Sequence, residues 1–301
     1  MVDLVIIGAG VAGLCAAATA ADHGLDTLVV EHMAPGGQVA TAERIDNVPG
    51  FPDGIAGYEL GPLLQGQAEA KGAAFLFETA TAVEPDGSGF RIRCGGQVLD
   101  AAAVILAAGS RHRELGIPGE AALRGRGVSH CASCDGPLLR GKPAVVVGGG
   151  DYAFDEAIVL AEHASEVTIL HRGEHPRAQR AAVKRVAATP NIRLRAGAEV
   201  VAVLGESGVS GVAFRAGGAE ETLSCAGVFI FAGLVPNSEF LRGVVELDAG
   251  GRVLVDPMLR SSRPGLFAAG DIRAQSSGML ASVAGDGATA AVAAARHLRG
   301  G

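Results

Sequence analysis

The sequence predicts an α/β chain of two layered, parallel-sheet domains, the second inserted into the first. Three observations carry this. Short apolar runs, Leu4-Val5-Ile6-Ile7 and Ala144-Val145-Val146-Val147, each lead into a glycine-rich turn: Gly8-Ala-Gly10-Val-Ala-Gly13 and Gly148-Gly-Gly150-Asp-Tyr-Ala153. Each turn opens a helical pattern that leads to a second apolar run, the signature of a βαβ unit with a strand covered on both faces. The two turns start 140 residues apart (148 − 8), too far for a solenoid, so a whole domain is repeated. The reading is two three-layer, Rossmann-like nucleotide-binding domains: residues 1–112 with 240–301, and 113–239.

In the first domain, Val11 to His23 reads as a helix, with Gly24 suited to a left-handed C-terminal position. Thr27 to Val30 is the second strand, ending in Glu31, and Tyr58 to Lys71 the second helix. Phe90 to Cys94 and Gln97 to Ala102 read as a β-ribbon about Gly95-Gly96, and Val104 to Ala107 as a separate buried strand. In the second domain, Ala153 to His163 is helical, Glu166 to Leu170 a strand, and Ile192 to Phe231 a set of short strands. Turn-rich stretches at 110–120 and 233–238 read as paired crossings. After them, Leu266-Phe-Ala-Ala-Gly270-Asp271 and an Ala-rich helix return to the first domain.

A length of 301 residues suits two domains with their own cores. Apolar residues make up 49% and aromatics 4%, so small side chains bring helices close to strands. A net charge of −7 and the absence of a basic block argue against a nucleic-acid surface. No apolar run nears the roughly 18 residues of a membrane span. The N-terminus reads as a strand and not as a signal peptide. Five cysteines with one close pair do not make a secreted disulfide scaffold, so the expected compartment is the cytoplasm.

Within the first turn, Gly8 permits the tight bend, Gly10 the approach of a pyrophosphate, and Gly13 close helix–strand packing. Glu31, 18 residues after Gly13, stands where a carboxylate binds ribose hydroxyls and disfavours a 2′-phosphate, pointing to FAD or NAD.

Cys131-Ala-Ser-Cys134 lies between the two turns. Its spacing allows a disulfide across one helical turn, part of a zinc site, or an inert dithiol. Cys15, Cys94 and Cys225 are scattered singly and read as core residues, and the eight histidines show no metal spacing, so no metal is expected. Asp135 has two compatible readings, proton transfer and helix capping.

Over nearly its whole length the chain resembles the low-molecular-weight thioredoxin reductases, a family of FAD-dependent disulfide oxidoreductases. Gly36-Gly37-Gln38 and Asn47-Val-Pro49-Gly50-Phe51-Pro52 are similar to its flavin-contacting segments, and Val104-Ile-Leu-Ala-Ala108-Gly109 to the segment closing the first flavin half. Cys131-Ala-Ser-Cys134-Asp135-Gly136 resembles the redox motif with one Thr-to-Ser change, and Phe267-Ala-Ala-Gly270-Asp271 the second flavin motif. The resemblance implies FAD on Gly37, Gln38, Asn47, Val83, Ala108, Gly109, Gly270 and Asp271 together with the first turn and Glu31. It implies NADPH on Gly148, Gly150, Ala153, Arg172 and Arg177. It further implies Cys134 facing the flavin, Cys131 attacking a thioredoxin-like or small disulfide, Asp135 as acid–base residue, and a homodimer that alternates between two domain orientations.

Three departures bear on the electron donor. Tyr152 stands beside the expected pyrophosphate where the family has Ser or Thr. The three-arginine 2′-phosphate segment is reduced to Arg172 and Arg177, with Gly173 and Glu174 between them. Gly278-Met279-Leu280 replaces a polar segment that opens the last helix, and Met279 and Leu280 read as packing residues. Each lost charge-assisted hydrogen bond typically costs about 1.5–3 kcal/mol. Besides an NAD(P)H-dependent disulfide reductase, two alternatives follow: the same fold with a ferredoxin-type donor or oxygen as acceptor, and a flavin-bound redox sensor. Arg111-His112-Arg113 at the first crossing is basic enough to suggest a contact patch, but reads rather as a solvated turn.

Overall fold

The computed structural model describes residues 1–300. The chain divides into two compact units: Met1–Arg111 with Val235–Gly301, and His112–Leu234. The second crossing contains the strand Leu234–Pro236, which pairs with Ser110–His112, and residues 235–239 fall in the first unit where the sequence puts them in the second.

Unit 1 begins with β1 (Val2–Ile7), α1 (Val11–Asp22) and β2 (Thr27–Glu31), followed by α2 (Gly57–Ala70) and β3 (Ala74–Phe77). The strands β4 (Ala80–Asp86), β5 (Gly89–Cys94) and β6 (Gln97–Leu106) come next, before the crossing strand β7 (Ser110–His112). Their order in one sheet is β3-β2-β1-β6-β5-β4. Gly24 has φ 77°, as the end of α1 requires. The expected ribbon and buried strand are one element: β6 runs ten residues through Ala103 without a break. Its first half pairs antiparallel with β5 and its second half parallel with the returning strand, while Ala101–Leu106 pairs with β1. A polar-to-apolar change at Ala101 therefore marks a change of partner and not a chain break.

Unit 2 contains β8 (Val128–Ser129), α3 (Ala132–Asp135), β9 (Pro143–Val147), α4 (Asp151–Ala161), β10 (Glu166–His171) and α5 (Arg180–Ala188). It continues with β11 (Ile192–Ala196), β12 (Glu199–Gly205), β13 (Val209–Ala216), β14 (Ala219–Ser224) and β15 (Gly227–Ile230). Five strands form an all-parallel sheet in the order β11-β10-β9-β15-β8, and β12-β13-β14 form a separate antiparallel one. Helix α5 was not legible in the sequence, since it buries only Ala182 and Val186.

After the second crossing, β16 (Leu234–Pro236), unit 1 is completed by β17 (Leu266–Ala268) and α6 (Leu280–Leu298). Alanine-rich α1 and α6 pack closely enough that a Cβ on Gly287 would lie 2.1 Å from the Ala12 carbonyl oxygen. A largely aliphatic, alanine-rich core permits that approach. Among the described residues no helix is long and apolar enough to cross a membrane.

Candidate active site

In unit 1, α1 begins at Gly10, which offers no side-chain cap to the helix amides. A Cβ on Gly13 would lie 1.9 Å from the Gly8 carbonyl oxygen, and one on Gly8 2.4 Å from that of Ala107, so both positions demand glycine for packing. At Gly10 a Cβ would meet nothing within 4 Å. The turn is thus tight beneath and open above, a cradle with uncapped N–H donors that fits a pyrophosphate. Glu31 is buried, its carboxylate accepting the Ala9 N–H at 2.7 Å and the Met33 N–H at 3.0 Å. The acid at the end of β2 is therefore locked to the rim of the same turn. Gly37 packs on the turn as well, its would-be Cβ 3.2 Å from the Gly10 Cα.

The second half of this site is a polar chain. Gln38 Nε2 donates to Ser110 Oγ (2.9 Å) and to its carbonyl oxygen (3.1 Å). Ser110 Oγ lies 3.5 Å from Asp271 Oδ2, and Ser276 Oγ donates to Asp271 Oδ1 at 3.2 Å. Asn237 takes the carbonyl oxygens of Ala108 and Gly109 at 2.8 and 3.0 Å. Gly270, with φ 77°, donates its N–H to Asp286, which forms a two-pronged buried pair with Arg273 at 2.7 and 2.9 Å. Ser110, Asn237, Arg273 and Asp286 escaped sequence reasoning because their contacts join residues 13 to 161 positions apart, and Ser276 because nothing in its own segment marks its bond to Asp271. Asn47 is exposed on a loop closed by the Ile45–Ile55 bridge. Val83 is buried in the core with Ile7 and Val30, and its side chain is apolar.

In unit 2, Cys131 and Cys134 form a disulfide with Cα atoms 5.4 Å apart. Of the three readings of this pair, the first is the one realised. Cys131 caps the short α3, its Sγ accepting the Cys134 N–H at 3.2 Å, and the Asp135 N–H donates to the Cys131 carbonyl oxygen at 3.2 Å. The other cysteines are chemically quiet: burial pushes the thiols of Cys15 and Cys94 up, and that of Cys225 to about 12. Among the described residues no group of three His, Cys, Asp or Glu could hold a metal ion.

The second glycine turn repeats the logic of the first. A Cβ on Gly148 would lie 2.5 Å from the Phe231 carbonyl oxygen and 2.9 Å from the Ala153 Cβ, whereas one on Gly150 would meet nothing within 4 Å. Helix α4 starts at Gly150 without a side-chain cap. The Arg177 N–H donates to the Gly149 carbonyl oxygen at 2.7 Å, which folds the arginine-bearing loop onto the turn. Arg172 and Arg177 are exposed and, among the described residues, in no ion pair. Arg180 opens α5 just beyond them and is a third exposed cation that the motif did not single out.

The Tyr152 ring stacks on His112 (5.4 Å, 10°) and meets Phe231 edge-on (5.0 Å, 81°). His112 in turn stacks on His130 (5.2 Å, 3°), whose Nδ1–H donates to the Ile230 carbonyl oxygen at 2.7 Å. His112 is therefore part of a packed ring stack and not of a solvated turn. Arg111, the residue before it, pairs with Glu239.

Burial lowers the proton affinity of His112, with His130 adding to the effect, and likewise of His171, helped by His175. Both folded values lie below the ordinary histidine value near 6.5. On acidification the unfolded chain takes up these protons first, so their contribution is intact above about pH 6.5 and lost as pH falls. Thermal unfolding midpoints should therefore drop between about pH 7 and 5, and His112→Gln with His171→Gln should flatten the drop. An unchanged pH dependence in that double variant would refute the assignment.

With this geometry in place, comparison with known proteins decides the family. Residues 2–288 match the pyridine nucleotide-disulphide oxidoreductase family. The chain belongs to that family. A thioredoxin reductase from Treponema pallidum is 42% identical over 298 residues, 98% of this chain and 97% of that protein. The crystal structure of a Lactococcus lactis thioredoxin reductase superposes with a TM-score of 0.97 at 33% identity over 100% of both chains. One from T. acidophilum gives 0.94 at 34% identity over 98% of both. This member of the pyridine nucleotide-disulphide oxidoreductases is thus a disulfide oxidoreductase resembling thioredoxin reductase from end to end, with its two-domain Rossmann-like fold.

Proposed function

We propose that the protein is an FAD-containing, NADPH-dependent reductase of a thioredoxin-like disulfide. The observation that carries this is the Cys131–Cys134 disulfide in a chain with two uncapped glycine turns, each open above its helix N-terminus. FAD would be held by the Gly8–Gly13 turn, Glu31, Gln38 and Asp271, and when bound it supplies the two-electron relay between pyridine nucleotide and disulfide. NADPH would rest on the second turn, its 2′-phosphate facing Arg172 and Arg177.

Once the pair is reduced, Cys131 as thiolate attacks one sulfur of the partner disulfide, and the other sulfur leaves as thiolate. Cys134 then attacks the Cys131 sulfur of the mixed disulfide, which restores the intramolecular bond and releases the partner as a dithiol. Asp135, next to Cys134, passes the proton that each change of state requires. A cytoplasmic homodimer is part of this reading.

The ring of Tyr152 is engaged by His112 and Phe231, which leaves the Gly150 backbone accessible and favours NADPH over a ferredoxin-type donor. Anaerobic NADPH titration is expected to bleach the flavin band promptly, and Tyr152→Ser should change apparent nucleotide affinity by less than about tenfold (1.4 kcal/mol). Indifference of the flavin to both NADPH and NADH would sink the reading.

A further inference from the structure

The redox turn does not rest on apolar packing alone. Ala132, between the two cysteines, is fully buried, and its N–H donates at 2.7 Å to the Glu156 carboxylate on α4. Glu156 is itself 5% exposed, on the helix face that also buries Ala153, Phe154, Ala157 and Leu160. These residues share one core with Ala132 and Leu139, so the carboxylate reaches the backbone between the two disulfide cysteines from an otherwise apolar helix face. Burial at this level is uncommon for glutamate without a specific role.

The consequence concerns the reduced state. In the first turn of α3 the Cys134 N–H is directed at the Cys131 sulfur, while the Ala132 N–H is taken by Glu156. A thiolate at Cys131 and the carboxylate of Glu156 would be two anions drawing on adjacent donors of a single turn. Like charges in poorly solvated surroundings disfavour one another's ionised form. Titratable groups near the turn include His130 before it, Asp135 within it, His163 against Gly136, and Asp155 beside Glu156, the last paired with Arg185 at 3.2 Å.

We infer that Glu156 is a positioning residue that holds the Cys131–Cys134 turn and, through its charge, makes the reduced pair less acidic and the disulfide harder to reduce. This rests on reading the pair as the redox centre. The reduction itself is ordinary: the disulfide takes two electrons from the enzyme's own donor and two protons, and Glu156 neither gains nor loses electrons.

The test uses the flavin-loaded protein equilibrated in reduced and oxidised dithiothreitol buffers, with thiols trapped and resolved by peptide mass spectrometry. Glu156→Gln keeps an acceptor for the Ala132 N–H but removes the charge. It is expected to shift the dithiol equilibrium about tenfold toward the reduced pair, which is about 30 mV for a two-electron couple. Alkylation of Cys131 at neutral pH should be faster as well. Glu156→Asp, which keeps the charge, should restore values near those of the native protein. If Glu156→Gln matches the native protein in both readouts, the carboxylate is only an anchor and the inference is overturned.

A second measurement needs no variant. By linkage, the Glu156 carboxyl should titrate at higher pH in the reduced than in the oxidised protein, readable by carbon-13 NMR. Identical titration in the two states overturns the proposal equally. Failure of the underlying reading would look different, because Cys134→Ser would then leave disulfide turnover intact.

Discussion

Replacing Cys134 or Cys131 by serine is expected to lower disulfide turnover by at least about 10³-fold, the scale of losing an essential nucleophile. Exchange needs one thiolate to attack and a second to release the mixed disulfide, and a hydroxyl does neither at neutral pH. The loss should be chemical and not structural. The turn retains the backbone bond from Asp135 to Cys131 and the bond from Ala132 to Glu156, neither of which uses sulfur. Flavin absorbance and thermal unfolding should therefore stay close to the native protein. Burial pushes the thiols of Cys15, Cys94 and Cys225 up, which disfavours their taking over the exchange. Steady-state reduction of DTNB and of thioredoxin measures this directly, and turnover surviving in Cys134→Ser would contradict the assignment.

Gly10 and Gly13 belong to one motif, yet their substitution should fail in different ways. Gly10 has an ordinary backbone conformation (φ −69°, ψ 177°) and free space where a Cβ would stand. Gly10→Val should fold and unfold like the native apoprotein but retain less than about a tenth of the flavin, a penalty of about 1.4 kcal/mol or more, because the new side chain fills the place a phosphate would take. At Gly13 the would-be Cβ lies 1.9 Å from the Gly8 carbonyl oxygen. Gly13→Val must therefore displace α1 from the turn, with overpacking of about 1–3 kcal/mol or more, and should lose both flavin and several degrees of thermal midpoint. Flavin-to-protein absorbance ratios and melting curves of the apoproteins separate the two outcomes. Full flavin content in Gly10→Val would show that the ligand does not approach this backbone.

Much of this site was legible because its parts are local. A glycine turn, the helix it opens and the acid ending the next strand lie within residues 8–31, and each carries its conformational reason in its own residue type. The spacing of the two cysteines marked them as a pair but left a disulfide, a zinc site and an inert dithiol open, and the redox reading came from the resemblance. Legibility ended where a residue's role depends on a distant partner. The sequence does not single out Glu156, because its bond to the Ala132 N–H forms only once α3 packs against α4. His112 and Tyr152, forty residues apart, could not be recognised as a stack from the sequence. The run from Gln97 to Leu106 was divided in two because a strand that changes partner changes its hydrophobic pattern midway.

The sequence by itself determined that this chain would build two nucleotide-binding βαβ units with a reactive cysteine pair between them. Short-range stereochemistry of glycine turns and the continuous apolarity of covered strands leave little else for those segments to do. Tertiary structure alone decided which polar groups meet. The chain from Gln38 through Ser110 to Asp271 joins segments 72 and 161 residues apart, the Arg273–Asp286 pair spans 13 residues, and the Ala132–Glu156 bond spans 24. Hydrogen bonds between side chains leave no periodicity in a sequence, because their geometry is set by how helices and strands pack and not by the residues beside them.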